Sequence, residues 1–245
     1  MIKDFDLLQR ANNDYTTIDL EHAEELAYRE LIDSIRYIPL GDECGVMGNI
    51  ANIITYKGRF YIQEEQFDRV FIYDDTGRCL KKIDNKGRGP GEYLRIESID
   101  INTEKEELML VDGMSDKLFF YDLDGNFKSI HSIRYFQTEN TLCLRDSVFL
   151  HISAPSQNFG NEGLYGYALV LSKGNENFLK GYRYLPLQVG YKGGGQIFKG
   201  YERSCYHPIY SDTIYQILSD TTYGPIFYFK IKNSSWEKYH NSDRF

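Results

Sequence analysis

Three short stretches of this chain share one pattern, in which an aspartate precedes a run of apolar and aromatic residues. They are Asp68–Tyr73, Asp116–Tyr121 and Asp212–Ile217. The first two are 48 residues apart, and the third lies a further 96 residues on, which is twice the same period. A fixed period of roughly 20 to 50 residues indicates a repeat architecture. The chain is therefore expected to fold as a series of similar units.

Each of the first two units contains four short runs of alternating apolar and polar residues, separated by polar turns. In the first unit the runs are Ile50–Tyr56, Arg59–Gln63, Arg69–Asp74 and Arg78–Ile83. In the second unit they are Ile96–Asn102, Glu107–Asp112, Lys117–Asp122 and Phe127–Ile133. Four antiparallel strands of this kind form one blade of a β-propeller. The sequence therefore predicts an all-β propeller with four-stranded blades.

Two later units are less regular. The third has strand-like runs at Ser147–Ile152, Tyr165–Ser172 and Phe178–Tyr184, and residues 154–163 between them are predicted to form an inserted loop. The fourth unit begins near Gln196 and ends with Ile226–Ile231. We predict an N-terminal connector over residues 1–34 and a propeller over 35–245, with blades at about 46–85, 94–133, 137–185 and 194–232.

Two kinds of residue recur at equivalent places in the units. Gly77 and Gly125 follow the third strand, in a turn that needs a residue tolerant of positive φ. Asp68, Asp116 and Asp212 precede the third strand, and we predict that their carboxylates accept backbone N–H bonds in the preceding turn. A ring of acids that binds a cation is the alternative. The chain has no His or Cys at metal-ligand spacing, and we expect neither a metal nor a cofactor.

The segment before the repeats predicts two further elements. Residues 20–35 carry glutamates ahead of Arg29 and several apolar residues, which indicates a short helix or helical turn after Asp19. The next segment, Ile35–Leu40, is predicted to be an edge strand because it contains Pro39. An N-terminal strand often completes the last blade of a propeller. Ile35–Leu40 is therefore our candidate clasp for the last blade, and we expect it to pair with the fourth blade only if the ring closes with four blades.

The composition makes several partner classes improbable. The 245 residues include 36 acidic and 28 basic side chains, a net charge of -8, whereas nucleic acid and anionic lipid require clustered Lys and Arg. The apolar runs are far shorter than the roughly 20 residues of a membrane span. The first residues lack the pattern of a secretory signal. Four dispersed cysteines are interpreted as unrelated thiols rather than a disulfide framework: Cys44, Cys79, Cys143 and Cys205.

The segment Ile83–Tyr93 resembles the junction between the first two blades in the NHL-like six-bladed β-propeller family. Tyr37–Leu40 and Tyr210–Tyr215 agree with this resemblance, which covers about residues 15–231. It implies a six-bladed ring that is usually exported and often lipid-anchored. Because only about four units are present, the chain is expected to be truncated at its C-terminus and to self-associate through exposed strand edges. A closed four-bladed ring is the alternative.

The glycine-rich segment Gly87–Gly91 carries the most function-like side chains. It lacks the Lys-Ser/Thr ending and the following helix of a phosphate loop, so we predict a crossover between two blades. Arg88 and Glu92 are candidate ligand-binding residues, because binding groups concentrate in loops on a rigid scaffold. Near the fourth unit, Tyr201 and Tyr206 are candidates for stacking on sugars, and packing within the blade is the alternative.

No residue cluster amounts to a catalytic signature. The five histidines show no pairing at i, i+4, and no serine lies in a Gly-x-Ser-x-Gly elbow. The predicted function is therefore noncatalytic binding or scaffolding of a peptide, glycan or protein on one face of the ring. The alternative is a hydrolase or lyase that acts on carbohydrate or another small polar substrate. Acids that converge at one channel mouth would favour the enzyme, and a broad aromatic and polar face would favour binding.

Overall fold

A computed structural model shows how the chain folds. It describes residues 6–7, 9–10, 14–22, 30, 32–133, 138–145, 147–153, 166–174, 177–184, 195–199, 203–208, 211–218 and 222–230. Almost all regular structure in these ranges is β-strand, and four antiparallel sheets form the blades of a propeller. The predicted fold class is therefore confirmed. The short 3₁₀ helix Leu20–His22 follows Asp19, whose Oδ1 accepts the N–H of Glu21 at 2.9 Å.

The first two blades follow the predicted strands closely. The first blade consists of β4 (Ile50–Tyr56), β5 (Arg59–Glu64), β6 (Arg69–Asp74) and β7 (Cys79–Ile83). The second consists of β8 (Ser98–Asn102), β9 (Glu107–Asp112), β10 (Lys117–Asp122) and β11 (Phe127–Ser132). In both, each strand pairs with the next along the chain. Strand β8 begins later than predicted, because the N–H of Ile96 is bound by Asp68 instead of a neighbouring strand.

The third and fourth blades repeat this order. The third consists of β12 (Asn140–Arg145), β13 (Val148–Ile152), β14 (Tyr167–Lys173) and β15 (Asn177–Tyr184). The fourth consists of β16 (Gln196–Lys199), β17 (Ser204–His207), β18 (Thr213–Ile217) and β19 (Thr222–Lys230). Strand β12 was not predicted, although its sequence has the alternation of a strand: the small residues Thr141 and Cys143 alternate with Leu142 and Leu144. The predicted loop at 154–163 lies outside the described residues.

Three N-terminal strands extend the outer edges of the last two blades. They are β1 (Asp6–Leu7), β2 (Gln9–Arg10) and β3 (Thr16–Asp19). Strand β1 pairs in parallel with β15, and both β2 and β3 pair in parallel with β19. The outermost strand of each of these two blades therefore has a partner from the start of the chain.

Apolar clusters join consecutive blades. Tyr61 and Phe119 lie in the cluster between the first and second blades, and Phe120 and Phe149 in the cluster between the second and third. Tyr206 lies in the cluster between the third and fourth. A fourth cluster, on the face of the first blade turned away from the second, is covered by residues before the first blade. Within the described ranges, no apolar cluster joins the fourth blade to the first.

The predicted positive-φ turns are present at the ends of the third strands. Gly77 has φ of 88° and Gly125 has φ of 80°. In each turn, the last aspartate of the strand, Asp74 or Asp122, accepts two backbone N–H groups through Oδ1. The Thr76 hydroxyl and these amides lower the pKa of Asp74 to about 2. The same local chemistry therefore forms this turn in both regular blades.

The carboxylate of Asp68 does not have the predicted role. The turn between strands two and three is capped by the residue that ends the second strand, Glu64 in the first blade and Asp112 in the second. Asp68 and Asp116 instead adopt positive φ, at 56° and 53°. The Asp68 carboxylate reaches the next blade, where Oδ1 accepts the N–H of Ile96 at 3.1 Å. The prediction was wrong for Asp68 because the acid before the turn is better placed to cap it.

The predicted clasp is also wrong. Residues 35–40 form no strand and lie against the first blade, where Arg36 donates to the carbonyl of Asp75 at 2.7 Å. A Cβ at Gly77 would come within 2.1 Å of the carbonyl oxygen of Pro39, which shows how closely the segment packs. Strand β3 pairs with the fourth blade instead. Its β-branched residues suit an added strand, whereas Pro39 has no N–H to donate.

A disulfide joins Cys44 to Cys79, with the two Cα atoms 6.0 Å apart. The interpretation of four unrelated thiols is therefore wrong for this pair, while Cys143 and Cys205 are buried and not disulfide-bonded. The two bonded cysteines are 35 residues apart in sequence, and they meet because residues 41–48 fold back over the first blade. We name residues 35–48 the strap. It covers an apolar cluster that includes Ile62, Phe71 and Tyr73.

Candidate functional site

The strand connections divide the loops of the propeller between two ends. The turns that follow the first and third strands of each blade lie at one end, which we name the hairpin face. The turns after the second strands and the crossovers between blades lie at the other end, which we name the crossover face. Residues 57–58 and 103–106 belong to the hairpin face, and residues 84–97 belong to the crossover face.

A cavity of about 660 Å³ lies where the four innermost strands meet. Strands β4, β8, β12 and β16 each contribute to its wall, so it is the central channel of the propeller. Lys57 and Thr103 place one end of the channel at the hairpin face. About half of the lining side chains are apolar, among them Ile53, Ile54, Ile101, Leu142 and Phe198. The channel has the size of a small-ligand site, and its wall combines apolar and polar side chains.

One ion pair joins two strands of the channel wall. Asp100 on β8, whose side chain is 5% exposed, accepts the N–H of Cys143 at 2.7 Å and the ammonium of Lys199 at 2.8 Å. Lys199 on β16 also donates to the carbonyl of Ile101 at 3.0 Å. Burial raises the pKa of Asp100, an effect that Lys199 and the amide of Cys143 oppose. This pair ties the second, third and fourth blades together at the channel.

Two lining groups retain hydrogen-bonding capacity. An ammonium has three N–H donors, and two of those of Lys199 are used. The Lys199 side chain is 29% exposed. Asn140, at the start of β12, has an Oδ1 atom that accepts no hydrogen bond from any described residue. The Oδ1 atom of Asn140 is itself buried, and the lining also includes the polar side chains of Asn52, Thr55, Lys57 and Thr103.

Comparisons with known proteins place the chain in a family. The model of a domain of unknown function, DUF4934, matches residues 15–244. The chain belongs to the DUF4934 family. No curated protein matches it.

Solved structures show that other proteins share the fold of this DUF4934 chain. The crystal structure of a "Putative exported protein" from Bacteroides fragilis NCTC 9343 superposes with a TM-score of 0.75 and 20% identity, over 93% of this chain and 65% of that one. The chain thus spans about two thirds of that protein. A DUF4221 member from Bacteroides vulgatus gives a TM-score of 0.45 and 11% identity, over 73% and 57% of the two chains. The first likeness supports the propeller fold, and membership of an NHL-like six-bladed group stays a prediction.

Of the predicted ligand-binding residues in this DUF4934 chain, Arg88 and Glu92 lie on the crossover face. The Arg88 side chain is exposed and has no partner among the described residues. Glu92 has a structural contact, because its Oε2 accepts the N–H of Gly89 at 2.7 Å. Lys86 of the same loop pairs with Asp68. These two candidates are therefore at the opposite end from the channel mouth that Lys57 and Thr103 define.

The two predicted tyrosines are not brought together. Tyr206 is 1% exposed on β17 and packs in the cluster between the third and fourth blades, as the packing alternative expects. Tyr201 lies outside the described residues. The aspartates of the repeat also stay apart. No group of three His, Cys, Asp or Glu side chains in the described ranges could hold a metal ion.

The most enclosed histidine, His151, has a structural role. It is fully buried on β13, where Nδ1 lies 2.9 Å from the hydroxyl of Thr141 and Nε2 lies 2.7 Å from that of Ser172. Burial lowers the pKa of His151 to about 3. It is therefore a neutral core residue, which agrees with the interpretation of the histidines as surface or satisfied core residues.

The channel residues Asp100, Lys199 and Asn140 were missed by sequence reasoning. The sequence carried no signal for Asp100, because Ser98, Asp100 and Asn102 alternate with Ile99 and Ile101 and so share the polar face of the strand. The partner of Asp100 was not accessible from the sequence either, since Lys199 is 99 residues away on a strand of another blade.

No helix among the described residues is long and apolar enough to cross a membrane.

Proposed function

We propose that this DUF4934 chain is a noncatalytic binding propeller that holds its ligand in the central channel, with the entrance on the hairpin face. The observation that supports this function is a channel lined by all four innermost strands, in which apolar side chains surround the Asp100–Lys199 ion pair and several polar side chains. Apolar walls with a few placed polar groups are typical of ligand sites. The affinity would come from burial of apolar surface, and the polar groups would orient the ligand.

The state of Asp100 favours binding over hydrolysis. A glycosidase needs two carboxyl groups that flank the bond to be broken. The carboxylate on the channel wall, Asp100, is held by Lys199 and by the amide of Cys143. Asp100 is the one carboxylate among the described residues that line the channel, so this wall does not supply the flanking pair.

We also propose that the protein is extracytoplasmic. The Cys44–Cys79 disulfide supports this location, because disulfides persist in oxidising compartments. The structurally similar Bacteroides fragilis protein is described as exported, which agrees with the same location. Arg88 is proposed as a second contact for a polar partner on the crossover face, because its side chain is exposed on an ordered loop.

The binding function is tested with peptide and oligosaccharide arrays probed with the labelled protein. Phe198→Ala removes an exposed aromatic side chain from the channel, and Phe127→Ala removes one of similar exposure from the outer strand β11. We expect array binding that Phe198→Ala weakens and Phe127→Ala leaves unchanged. Absence of binding on both arrays, or cleavage of a bound oligosaccharide or peptide, would contradict the proposed function.

A further inference from the structure

A second cavity, of about 440 Å³, lies on the hairpin face between the first and second blades. Its wall comes from the turn after β4, the start of β5 and the turns after β8 and β10, and we name it the side pocket. The residues that line it are Lys57, Arg59, Tyr61, Glu106 and Asp122–Asp124. Lys57 also lines the central channel, so the two cavities meet at the channel mouth.

The channel mouth combines an aromatic surface with hydroxyl groups. Phe198 is the last residue but one of β16, a strand that ends at the hairpin face as β4 and β8 do. Its neighbour Ile197 packs towards the third blade, so Phe198 points to the other face of the strand, where it is 43% exposed. Thr55 and Thr103 are exposed at the same end of the channel. A ligand at the mouth therefore meets both an apolar surface and polar groups.

The charged side chains of the two cavities favour a neutral ligand. They form three ion pairs: Lys57–Glu106, Arg59–Asp124 and Asp100–Lys199. The remaining carboxylate, Asp122, accepts backbone amides of its own turn. Among the described residues that line the two cavities, no charged group is therefore left without a partner. An ionised ligand would lose its hydration here and meet no unpaired counter-charge, which is costly.

The ion pairs of the side pocket have the capacity for further hydrogen bonds. In the Lys57–Glu106 pair one N–H meets one carboxylate oxygen, whereas an ammonium has three donors and a carboxylate about four acceptor sites. The two side chains are 53% and 52% exposed, and Asp124 of the other pair is 68% exposed. A sugar hydroxyl is both a donor and an acceptor. One hydroxyl can therefore bond to the ammonium and the carboxylate of the same pair.

A peptide suits these groups less well than a sugar. Its apolar side chains would displace water from the ion pairs without replacing the lost hydrogen bonds, and its charged side chains would find no unpaired counter-charge. A sugar ring carries hydroxyl groups around its edge and C–H groups on its faces. Its edge can meet the ion pairs while one face packs on the aromatic ring of Phe198. The mixture of polar and apolar groups therefore favours a carbohydrate.

We infer that the hairpin face binds a neutral oligosaccharide, and this inference rests on the proposed binding function. One sugar unit lies in the channel mouth against Phe198. The adjoining unit lies in the side pocket, where its hydroxyl groups bond to the Lys57–Glu106 and Arg59–Asp124 pairs. Lys57 borders both cavities and contacts the ligand where the two units are linked. The site therefore recognises at least two linked sugars rather than one.

The probes are four neutral trisaccharides, measured by isothermal titration calorimetry: maltotriose, cellotriose, xylotriose and mannotriose. Glucose, xylose and mannose are the corresponding monosaccharides, and they test whether both cavities are used. Trigalacturonate is the charged probe. A capped trialanine peptide represents the other class of ligand.

Two matched couples of variants locate the ligand. Lys57→Met removes the ammonium where the cavities meet and keeps most of the length of the side chain. Its control is Lys230→Met, because Lys230 is 50% exposed and pairs with Asp19 on the outer edge of the fourth blade. Phe198→Ala removes the aromatic surface, and Phe127→Ala on β11 is its control. Exposed ion pairs contribute little to stability, so both lysine variants should stay folded, which thermal melting followed by circular dichroism establishes.

We expect at least one neutral trisaccharide to bind with a Kd of about 1 mM or lower. Its monosaccharide should bind about tenfold more weakly, because it fills one cavity only. Lys57→Met should weaken trisaccharide binding about tenfold, because a hydrogen bond from a charged donor is lost, and Phe198→Ala should have an effect of similar size. Both control variants should leave binding unchanged. Trigalacturonate should bind more weakly than the neutral trisaccharides.

Other results would overturn the inference, and they differ in what they leave of the proposed function. Trisaccharide binding that Phe198→Ala weakens and Lys57→Met leaves intact would exclude the side pocket and keep a binding channel. Binding of the trialanine peptide, but of no trisaccharide, would exclude a carbohydrate and keep a binding channel if Phe198→Ala weakens it. If the folded wild-type protein binds no probe, the carbohydrate inference is wrong, and the peptide and oligosaccharide arrays then decide the proposed function.

Discussion

The first two blades and the last two blades are stabilised by different kinds of interaction. In the first two, contacts within a few residues form the turns, as at Asp74 and Asp122. In the last two, the contacts are long-range: His151 bonds across three strands, and Lys199 reaches Asp100 on the second blade. The outer strands also differ, because β15 and β19 receive N-terminal strands. The first blade is covered by the strap instead.

This difference explains why the repeat is easy to recognise in only half of the chain. Turns formed by local hydrogen bonds require the same residues at the same spacing, so their sequence period is preserved. A blade held by distant partners has no such requirement, and its loops vary in length. The strap and the N-terminal strands occupy places that a regular repeat does not specify.

The largest effect is expected from removal of the Cys44–Cys79 disulfide, which holds the strap on the first blade. Cys44→Ser combined with Cys79→Ser should lower the free energy of unfolding by about 3 to 4 kcal/mol, because the closed loop spans 35 residues of sequence. Urea unfolding measured with and without a reducing agent provides the test. An unchanged midpoint after reduction would show that the strap is held by its packing alone.

Alanine substitutions at Gly77 and Gly125 test how closely the turns after the third strands of the first two blades are packed. Gly77→Ala should cost about 2 to 3 kcal/mol, because a left-handed conformation is combined with a 2.1 Å approach to the backbone of Pro39. Gly125→Ala should cost about 1 to 2 kcal/mol, since its nearest neighbours are side-chain atoms of Ile72 and Lys81 at 2.9 Å. These values are obtained from urea unfolding.

The control for both is Gly58→Ala, which has positive φ and no atom within 4 Å of the added Cβ. It should cost about 1 kcal/mol, from conformation alone. Equal costs at Gly58 and Gly77 would mean that the strap moves away without loss of stability.

The dependence of stability on pH tests the last two blades. His151 has a folded-state pKa of about 3, well below the usual value for histidine, so below pH 6.5 the unfolded chain binds a proton that the folded chain does not. Stability should fall as the pH is lowered, by up to about 1.4 kcal/mol per unit below pH 6.5. Urea unfolding at pH 7 and pH 5 should therefore differ by about 2 kcal/mol.

His151→Gln should abolish most of this difference, whatever its effect at pH 7. The comparison variant is His131→Gln. Burial also lowers the pKa of His131, but this residue is only partly buried on β11. Its contribution to the pH dependence of stability should therefore be smaller than that of His151. If the His151→Gln variant keeps the same pH dependence of stability, that dependence arises from other titratable groups, and the prediction for His151 is wrong.

The sequence was sufficient for the strands of the regular blades and insufficient for the channel. Alternation and turn residues defined β4 to β11 because both signals are local. The partnership of Asp100 with Lys199, the disulfide and the pairing of β3 with β19 all depend on how the blades are arranged in space. The division into a connector at 1–34 and a propeller from 35 stays a prediction, as does the number of blades in the whole protein.

In the glycine-rich crossover, the sequence predicted the position of the loop but not the role of each residue in it. Gly91 has φ of 82°, as a tight turn requires, whereas Gly89 does not adopt positive φ. Glu92 was predicted beside Arg88 as a binding residue, but its carboxylate caps the loop. The sequence indicated where the loop is, and only the structure separated its exposed side chain from its structural one.

The smallest effect on stability is therefore expected at Arg88. Arg88→Ala should change the free energy of unfolding by less than about 0.5 kcal/mol, because the side chain is exposed and has no partner among the described residues. Glu92→Ala should cost about 1 kcal/mol, since the N–H of Gly89 loses its acceptor. Urea unfolding distinguishes the two. The same variants separate stability from binding. Arg88→Ala should lower the affinity for any partner that binds on the crossover face, and it should leave ligand binding in the channel unchanged. A cost of several kcal/mol for Arg88→Ala would instead make this side chain a structural clamp at the blade junction, and its proposed contact with a partner would be wrong.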